Sequence, residues 1–154
     1  MIKLIISIVI CQLAGAIGSL SMSSITTWYA YLRKPAFNPP GWVFGPVWFG
    51  LYTLMGISAY LIWRKGLADG KVRQALMIFL VQLALNALWS PVFFGLRSPL
   101  AGLVVIIALW IGILMTTIRF FNISKPAALL FVPYILWVSF AAVLNAAIYL
   151  LNRP

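Results

Sequence analysis

The sequence predicts an all-α membrane protein, one bundle of five transmembrane helices. Three observations predict it. Of 154 residues, 64% are hydrophobic and 8% charged, with a mean hydropathy of +1.08, whereas a soluble domain carries about 25% charged residues. Charges and turn residues divide the chain into five apolar stretches, about 4–25, 42–63, 75–96, 100–118 and 126–151. Each is long enough to cross a ~30 Å hydrocarbon core as a helix of about 20 residues. None alternates in the manner of barrel strands, so each must satisfy its backbone within itself. Residues 1–154 leave room for this single domain and for no soluble one.

The first stretch has the outline of a signal peptide: Lys3, an apolar run, then Ala14-Gly15-Ala16. Its apolar character continues to Leu20 and Ile25, past such a cleavage site, and it is read as a retained helix. It also holds the small-residue pairs Ala14/Gly18 and Gly15/Ser19, which let helices approach closely. Whether they serve contacts within one bundle or between two copies is open from sequence.

The loop at about 26–41 is the most unusual segment. With the start of the next span it carries Trp28, Tyr29, Tyr31, Phe37, Trp42, Phe44 and Trp48, the cations Arg33 and Lys34, and Pro35, Pro39, Pro40 and Pro46. Proline restricts itself and its predecessor, so the segment is expected to be stiff and largely non-helical. Stiff, aromatic and lightly charged, it suits a lid or wall at a membrane surface.

In the second span Trp48 lies deeper than an interfacial tryptophan belt requires, whereas Trp63 beside Arg64 is placed as an anchor. The third span carries Gln82, Asn86, Ser90 and Phe93 at helical spacing, on one face, with Trp89 beside them. The fourth holds the small pair Ala108/Gly112. The fifth repeats the stripe with Tyr134, Trp137, Ala141, Leu144, Asn145 and Ile148. Amides facing lipid would be unpaired, so Gln82, Asn86 and Asn145 are expected to point into the bundle. They serve either as interhelical glue, which spacing alone favours, or as the polar floor of a cavity walled by Trp48, Trp89, Trp137 and Tyr134. Pro46, Pro91 and Pro133 each remove a helix hydrogen bond and are expected to bend or open their helices.

Charge and composition exclude several functions. The net charge of +10 comes from 11 basic residues set singly or in pairs at the ends of apolar runs, which suits lipid head groups and topology control rather than nucleic acid. Seven of them fall on the side of the N-terminus and four on the other. The positive-inside rule then predicts a cytoplasmic N-terminus in a bacterial cell membrane, with the Pro/Trp-rich loop outside. There is no His, one acid (Asp69, in a short polar loop) and one Cys. That set provides no metal site, no acid–base pair and no intramembrane carboxylate for proton coupling. Cys11 reads as a small buried apolar residue.

Taken together, Trp28-Tyr29, Leu32, Lys34-Pro35, Phe37, Pro39-Pro40, Trp42, Pro46, Trp48 and Leu51-Tyr52 form an ordered pattern. It continues through Gln82, Asn86, Trp89-Ser90-Pro91 and Phe93-Phe94-Gly95, then Pro133-Tyr134, Trp137, Phe140-Ala141 and Leu144-Asn145. On this pattern, along nearly its whole length, the chain resembles the TspO/MBR family of tryptophan-rich sensory proteins, related to the translocator protein or peripheral benzodiazepine receptor. The resemblance implies a five-helix bundle, usually a homodimer, with a pocket under the first loop for porphyrins such as protoporphyrin IX, sterols, and benzodiazepine-like compounds. It implies Trp48 and Trp137 as the pocket tryptophans of porphyrin binding and light-dependent breakdown. Tyr29, Trp42, Asn86, Trp89, Tyr134, Phe140, Ala141 and Asn145 would line or support the pocket, with Phe37 and Pro40 on the lid. Leu144, Tyr149 and Arg153 fit a sterol-recognition pattern, although a Tyr and an Arg near a helix end more often anchor at the interface. Where the family commonly bears an acid before the Lys-Pro pair, this chain has Arg33.

A porphyrin is a flat aromatic disc with acidic arms; Trp faces suit the disc and Arg33 or Lys34 the arms. Without His, axial ligation of haem iron is poorly served, so metal-free porphyrin is the expected preference and no cofactor is predicted. Two functions remain: a membrane protein that binds, senses and passes on porphyrin- or sterol-like ligands, and an enzyme that degrades porphyrin photo-oxidatively through Trp48 and Trp137. An alternating-access transporter is disfavoured by the odd helix number.

Overall fold

The computed structural model describes residues 1–153. Its elements are α1 (Ile2–Ser19), a 3-10 turn (Met22–Ser24), α2 (Trp28–Tyr31), α3 (Gly41–Trp63), α4 (Gly70–Ser90), a π turn (Pro91–Gly95), α5 (Pro99–Phe121), α6 (Lys125–Leu129) and α7 (Val132–Asn152). Five stretches are long and apolar enough to cross a membrane: α1, α3, α4 with its π turn, α5, and α6 with α7.

The boundaries follow from local chemistry. The Asp69 carboxylate caps α4 by accepting from the Lys71 backbone N–H at 2.8 Å, so this helix begins at Gly70 rather than near residue 75. Ser98 caps α5 by accepting from the Ala101 N–H at 3.2 Å, with Pro99 in the first turn, where its missing N–H costs nothing. The first span corrects the expected run to residue 25. It stops at Ser19, and Ser24 turns inward to donate its hydroxyl to the Phe94 carbonyl at 2.8 Å, a buried bond that ties the segment after α1 to the π turn. The loop is also less irregular than its prolines suggest: Trp28–Tyr31 makes one helical turn before the first of them, Pro35.

Two of the three prolines lie at breaks in their helices. Pro91 opens α4 into the π turn, where Leu96 N–H reaches back to the Pro91 carbonyl at 3.0 Å. Pro133 lies just after the break at Leu130–Phe131 that separates α6 from α7. Pro46 sits inside α3, which remains one helix from Gly41 to Trp63.

In the bundle α1 packs on α3 and α4, α4 on α5, α5 on α7, and α3 closes the ring against α6. The interior holds Cys11, Met55, Ile62, Phe79, Phe120 and Phe131, all fully or nearly fully buried. The outer faces are as apolar as the core, with residues such as Val9, Met77, Val104 and Leu136 exposed, which is the pattern of a bundle solvated by lipid. Lipid gives no hydrophobic drive between helices, so close approach and hydrogen bonds hold them together. The small residues supply the approach within this one bundle. A Cβ on Gly56 would stand 2.5 Å from the Ile8 Cα, one on Gly15 would enter the Tyr52 ring, and one on Gly18 would lie 3.5 Å from the Ala87 carbonyl oxygen. Ser58 adds a buried hydrogen bond from α3 to the Ala127 carbonyl of α6, at 2.7 Å.

Candidate functional site

The loop between α1 and α3 folds down over one end of the bundle and is fastened at two points. Trp28 meets Phe93 edge-on at 5.7 Å, and Tyr29 meets Phe93 and Phe94 at 6.1 and 5.3 Å. These contacts join α2 to the π turn, because the turn rotates both phenylalanines inward, where they are buried. The second fastening is Asn152 at the end of α7. Its side chain accepts from the Arg33 N–H at 2.9 Å and donates to the Arg33 carbonyl at 2.8 Å, pairing with the backbone as a neighbouring strand would.

Lys34 lies with its Nζ 4.7 Å from the Tyr29 ring centroid and donates to the carbonyls of Ala30 and Leu32 at 3.2 and 3.1 Å. Two of its three donors are therefore spent on the loop's own fold. Arg33 is exposed, with its backbone pinned. The Tyr29 hydroxyl faces Asn38 Oδ1 at 3.3 Å, and burial pushes its pKa above the usual tyrosine value.

Below the loop, α3 and α7 present facing aromatic rows. Phe44, Trp48 and Tyr52 follow one another at four-residue spacing along α3. Phe44 meets Trp137 edge-on at 5.9 Å; Trp137 tilts against Phe140 at 5.5 Å; the loop residue Phe37 touches Phe140 at 6.3 Å. Trp48 stacks on Tyr52 at 5.5 Å and meets Tyr134 edge-on at 6.4 Å. The Trp137 indole nitrogen is buried and has no hydrogen-bond partner among the described residues.

Beneath these rings runs a buried chain of hydrogen bonds. Tyr52 donates its hydroxyl to Asn86 Oδ1 at 2.5 Å, Asn86 Nδ2 donates to the Tyr134 hydroxyl at 2.7 Å, and Tyr134 donates to Gln82 Oε1 at 2.9 Å. One chain thus ties α3, α4 and α7 together. A second pair lies beside it: the Trp89 indole N–H donates to Asn145 Oδ1 at 3.2 Å, and Asn145 Nδ2 donates to the Pro99 carbonyl at 2.8 Å. The amides are thus glue by their bonds, and the Gln82–Asn86 chain also lies directly under the aromatic rows, since Tyr52 and Tyr134 belong to both.

The structure therefore brings together Tyr29, Phe37, Trp48, Asn86, Tyr134, Trp137, Phe140 and the half-buried Ala141, with Trp89 and Asn145 alongside. Trp42, Pro40 and the three residues of the sterol-recognition pattern stand apart from these ring contacts. Trp42 is 77% exposed in the first turn of α3 and takes part in none of these ring contacts. Pro40 is exposed at the start of that helix. Leu144 is buried against Phe93, Phe94 and Ile148, while Tyr149 is half-buried and Arg153 exposed. Leu144 and Tyr149 are five residues apart, about 140° round the helix, so the three do not form one face. Sequence reasoning did not single out Phe44 or Asn152 for the site, nor the bond from the Trp110 indole to Ser139 Oγ at 2.8 Å that joins α5 to α7. Phe44 was detectable from its phase with Trp48.

Five apolar spans, an aromatic cluster between two of them and a loop roofing that cluster define an integral, multi-pass membrane protein of the helical-bundle class. Residues 7–151 match the TspO/MBR family, and the chain belongs to that family. It is 48% identical to "Tryptophan-rich protein TspO" of Archaeoglobus fulgidus over 153 residues, 98% of this chain and 97% of the relative. It is 41% identical to "Tryptophan-rich sensory protein" of Cereibacter sphaeroides over 129 residues, 82% of this chain and 79% of the relative. With "Translocator protein" of Homo sapiens it shares 40% over 123 residues, 79% of this chain and 73% of the relative.

Proposed function

We propose that this protein captures flat hydrophobic ligands, protoporphyrin IX and sterol- or benzodiazepine-like molecules, between α3 and α7 under the first loop, and senses or passes them on. The observation that carries this is the Trp137 indole N–H. It is buried and unpartnered within a wall made of Phe44, Trp137 and Phe140, and a buried donor without an acceptor is costly enough to call for one. A ligand with a flat π face and a carbonyl or carboxylate oxygen answers both features. The remaining Lys34 donor and the exposed Arg33 side chain offer cations at the rim for acidic arms.

Titration of purified protein with protoporphyrin IX, followed by tryptophan quenching, tests this. Saturable quenching at micromolar ligand is expected, and Trp137→Phe, which keeps a ring but removes the donor, should weaken binding several-fold. No quenching, or wild-type affinity in both Trp137→Phe and Trp48→Phe, would overturn it. A second function is photo-oxidative breakdown of the bound porphyrin with Trp48 and Trp137 as redox groups, since both indoles lie in the aromatic cluster that would hold it. Porphyrin loss under illumination no faster than in free solution would remove it. The proposal includes a homodimer, tested by its mass in detergent. It also includes a bacterial cell membrane with the N-terminus cytoplasmic, tested by cysteine labelling at the two loop sets.

A further inference from the structure

We propose that the end of the bundle opposite the aromatic cluster holds one anionic phospholipid, with an acyl chain in the groove between α1, α3 and α4 and its phosphate at Lys3 and Arg73. This does not rest on the function proposed above. The groove has a volume of about 330 Å³ and is lined by Ile10, Trp63, Leu76, Met77 and Leu80, among other apolar residues. The polar residues on its wall are Ser7 and Arg73. Ser7 is satisfied internally, donating to the Lys3 carbonyl at 2.8 Å, so the groove presents hydrocarbon to its occupant. Ile10, Met77 and Leu80 are exposed on the outer apolar surface, so the groove opens sideways to lipid.

The mouth has the opposite character. The Arg73 guanidinium is held there by one bond, from Nη1 to the Leu67 carbonyl at 3.2 Å, with its other N–H groups left for a ligand. Lys3 Nζ lies 5.5 Å from the centre of the Trp63 ring, itself part of the groove wall. A second cleft, of about 570 Å³, is lined by Lys3, Tyr60 and Arg64, and the Arg64 guanidinium stands 5.9 Å from the Tyr60 ring centre. Lys3 and Arg64 thus stand against the Trp63 and Tyr60 rings, and Arg73 lines the same groove as Trp63. The one acid side chain of the sequence, Asp69, is engaged in capping α4. Cations above an open apolar groove complement an amphiphile with an anionic head. A zwitterionic head would bring its own cation against them, and a free phosphate would leave the groove unfilled.

The test is native mass spectrometry of the full protein titrated with dioleoyl-phosphatidylglycerol or dioleoyl-phosphatidylcholine. One phosphatidylglycerol should be retained about tenfold or more over phosphatidylcholine. Lys3→Gln combined with Arg73→Gln should lower its retention to that of phosphatidylcholine. Arg97→Gln, at the other end, should leave it unchanged, and both variants should melt like wild type because these side chains are exposed. Equal retention of the two lipids would overturn the proposal. So would wild-type retention in the double variant, or displacement of the lipid by glycerol 3-phosphate, which is a head without a tail.

Discussion

Replacing Asn86 by Leu should cost about 2–3 kcal/mol of bundle stability. Asn86 sits at the centre of the buried chain, accepting from Tyr52 of α3 and donating to Tyr134 of α7 from its own place on α4. Interhelical side-chain hydrogen bonds in membranes average about 0.6 kcal/mol and reach about 1.7, so two such bonds give roughly 1.2–3.4 kcal/mol. The upper half applies because the two hydroxyls fare differently. Tyr134 keeps Gln82 Oε1 as an acceptor at 2.9 Å, but Tyr52 loses the one acceptor it has and stays buried. Leu keeps the branched outline of Asn, but its methyls are bulkier than the amide groups they replace at 2.5 and 2.7 Å from the two hydroxyls, so overpacking adds to the cost. The assay is unfolding by SDS in mixed micelles, run as a double-mutant cycle with Tyr52→Phe. The expected coupling is about 1–2 kcal/mol, and protoporphyrin affinity should fall with it because Trp48 rests on Tyr52. A cost for Asn86→Leu below about 0.5 kcal/mol, or strict additivity in the cycle, would show that the chain neither holds the helices nor positions the site.

Three further outcomes are expected. Asn152→Ala removes both bonds to the Arg33 backbone, so hydrogen exchange over residues 28–40 should speed up while the spans stay protected; unchanged exchange there would show that the loop is held by its aromatic contacts alone. Gly56→Ala should destabilise by about 1–3 kcal/mol, since its Cβ would stand 2.5 Å from Ile8 Cα, whereas Gly45→Ala in the same helix, with no atom within 4 Å, should be neutral or stabilising; equal effects would contradict the close α1–α3 contact. Burial raises the Tyr29 pKa above its ordinary 10.0, so its contribution to loop stability is fully present below about pH 10 and is lost as pH rises further; in a phenolate absorbance titration, the transition missing from Tyr29→Phe should lie above pH 10, and one at or below it would disprove the shift.

The spans were legible because a membrane imposes a length and a composition that no other solvent demands. Gln82, Asn86 and Tyr134 were legible because polar groups in such spans must turn inward, and their spacing fixes the face. The ends were read less well, since caps decide them: Asp69 extends α4 backwards, and the first span ends early, at Ser19, with Ser24 beyond it bonded to Phe94. Trp42, carried over from the family pattern, lies outside the ring contacts because of helix phase. It lies two residues before Phe44, about 200° round the helix. The Asn152 latch had no sequence signal, because it joins a side chain to a backbone 119 positions away, and backbone bonds leave no residue pattern.

The same hydrogen bonds bear on the two proposed functions. A photo-excited porphyrin that took an electron from Trp48 would leave a radical cation stacked on Tyr52. Tyr52 could refill the hole only by giving up its phenolic proton, and its hydroxyl donates to an amide oxygen, which is not a base. Tyr134 is placed the same way, donating to the Gln82 amide. The sequence has no histidine, and its one carboxylate side chain lies in the loop at the far end of the bundle. Electron transfer would therefore stop at the tryptophan, and each event would damage or reset that ring rather than drive a relay. A site arranged in this way holds its rings by neutral bonds and offers a neutral donor at Trp137, which favours reversible capture of a ligand over repeated oxidation of it.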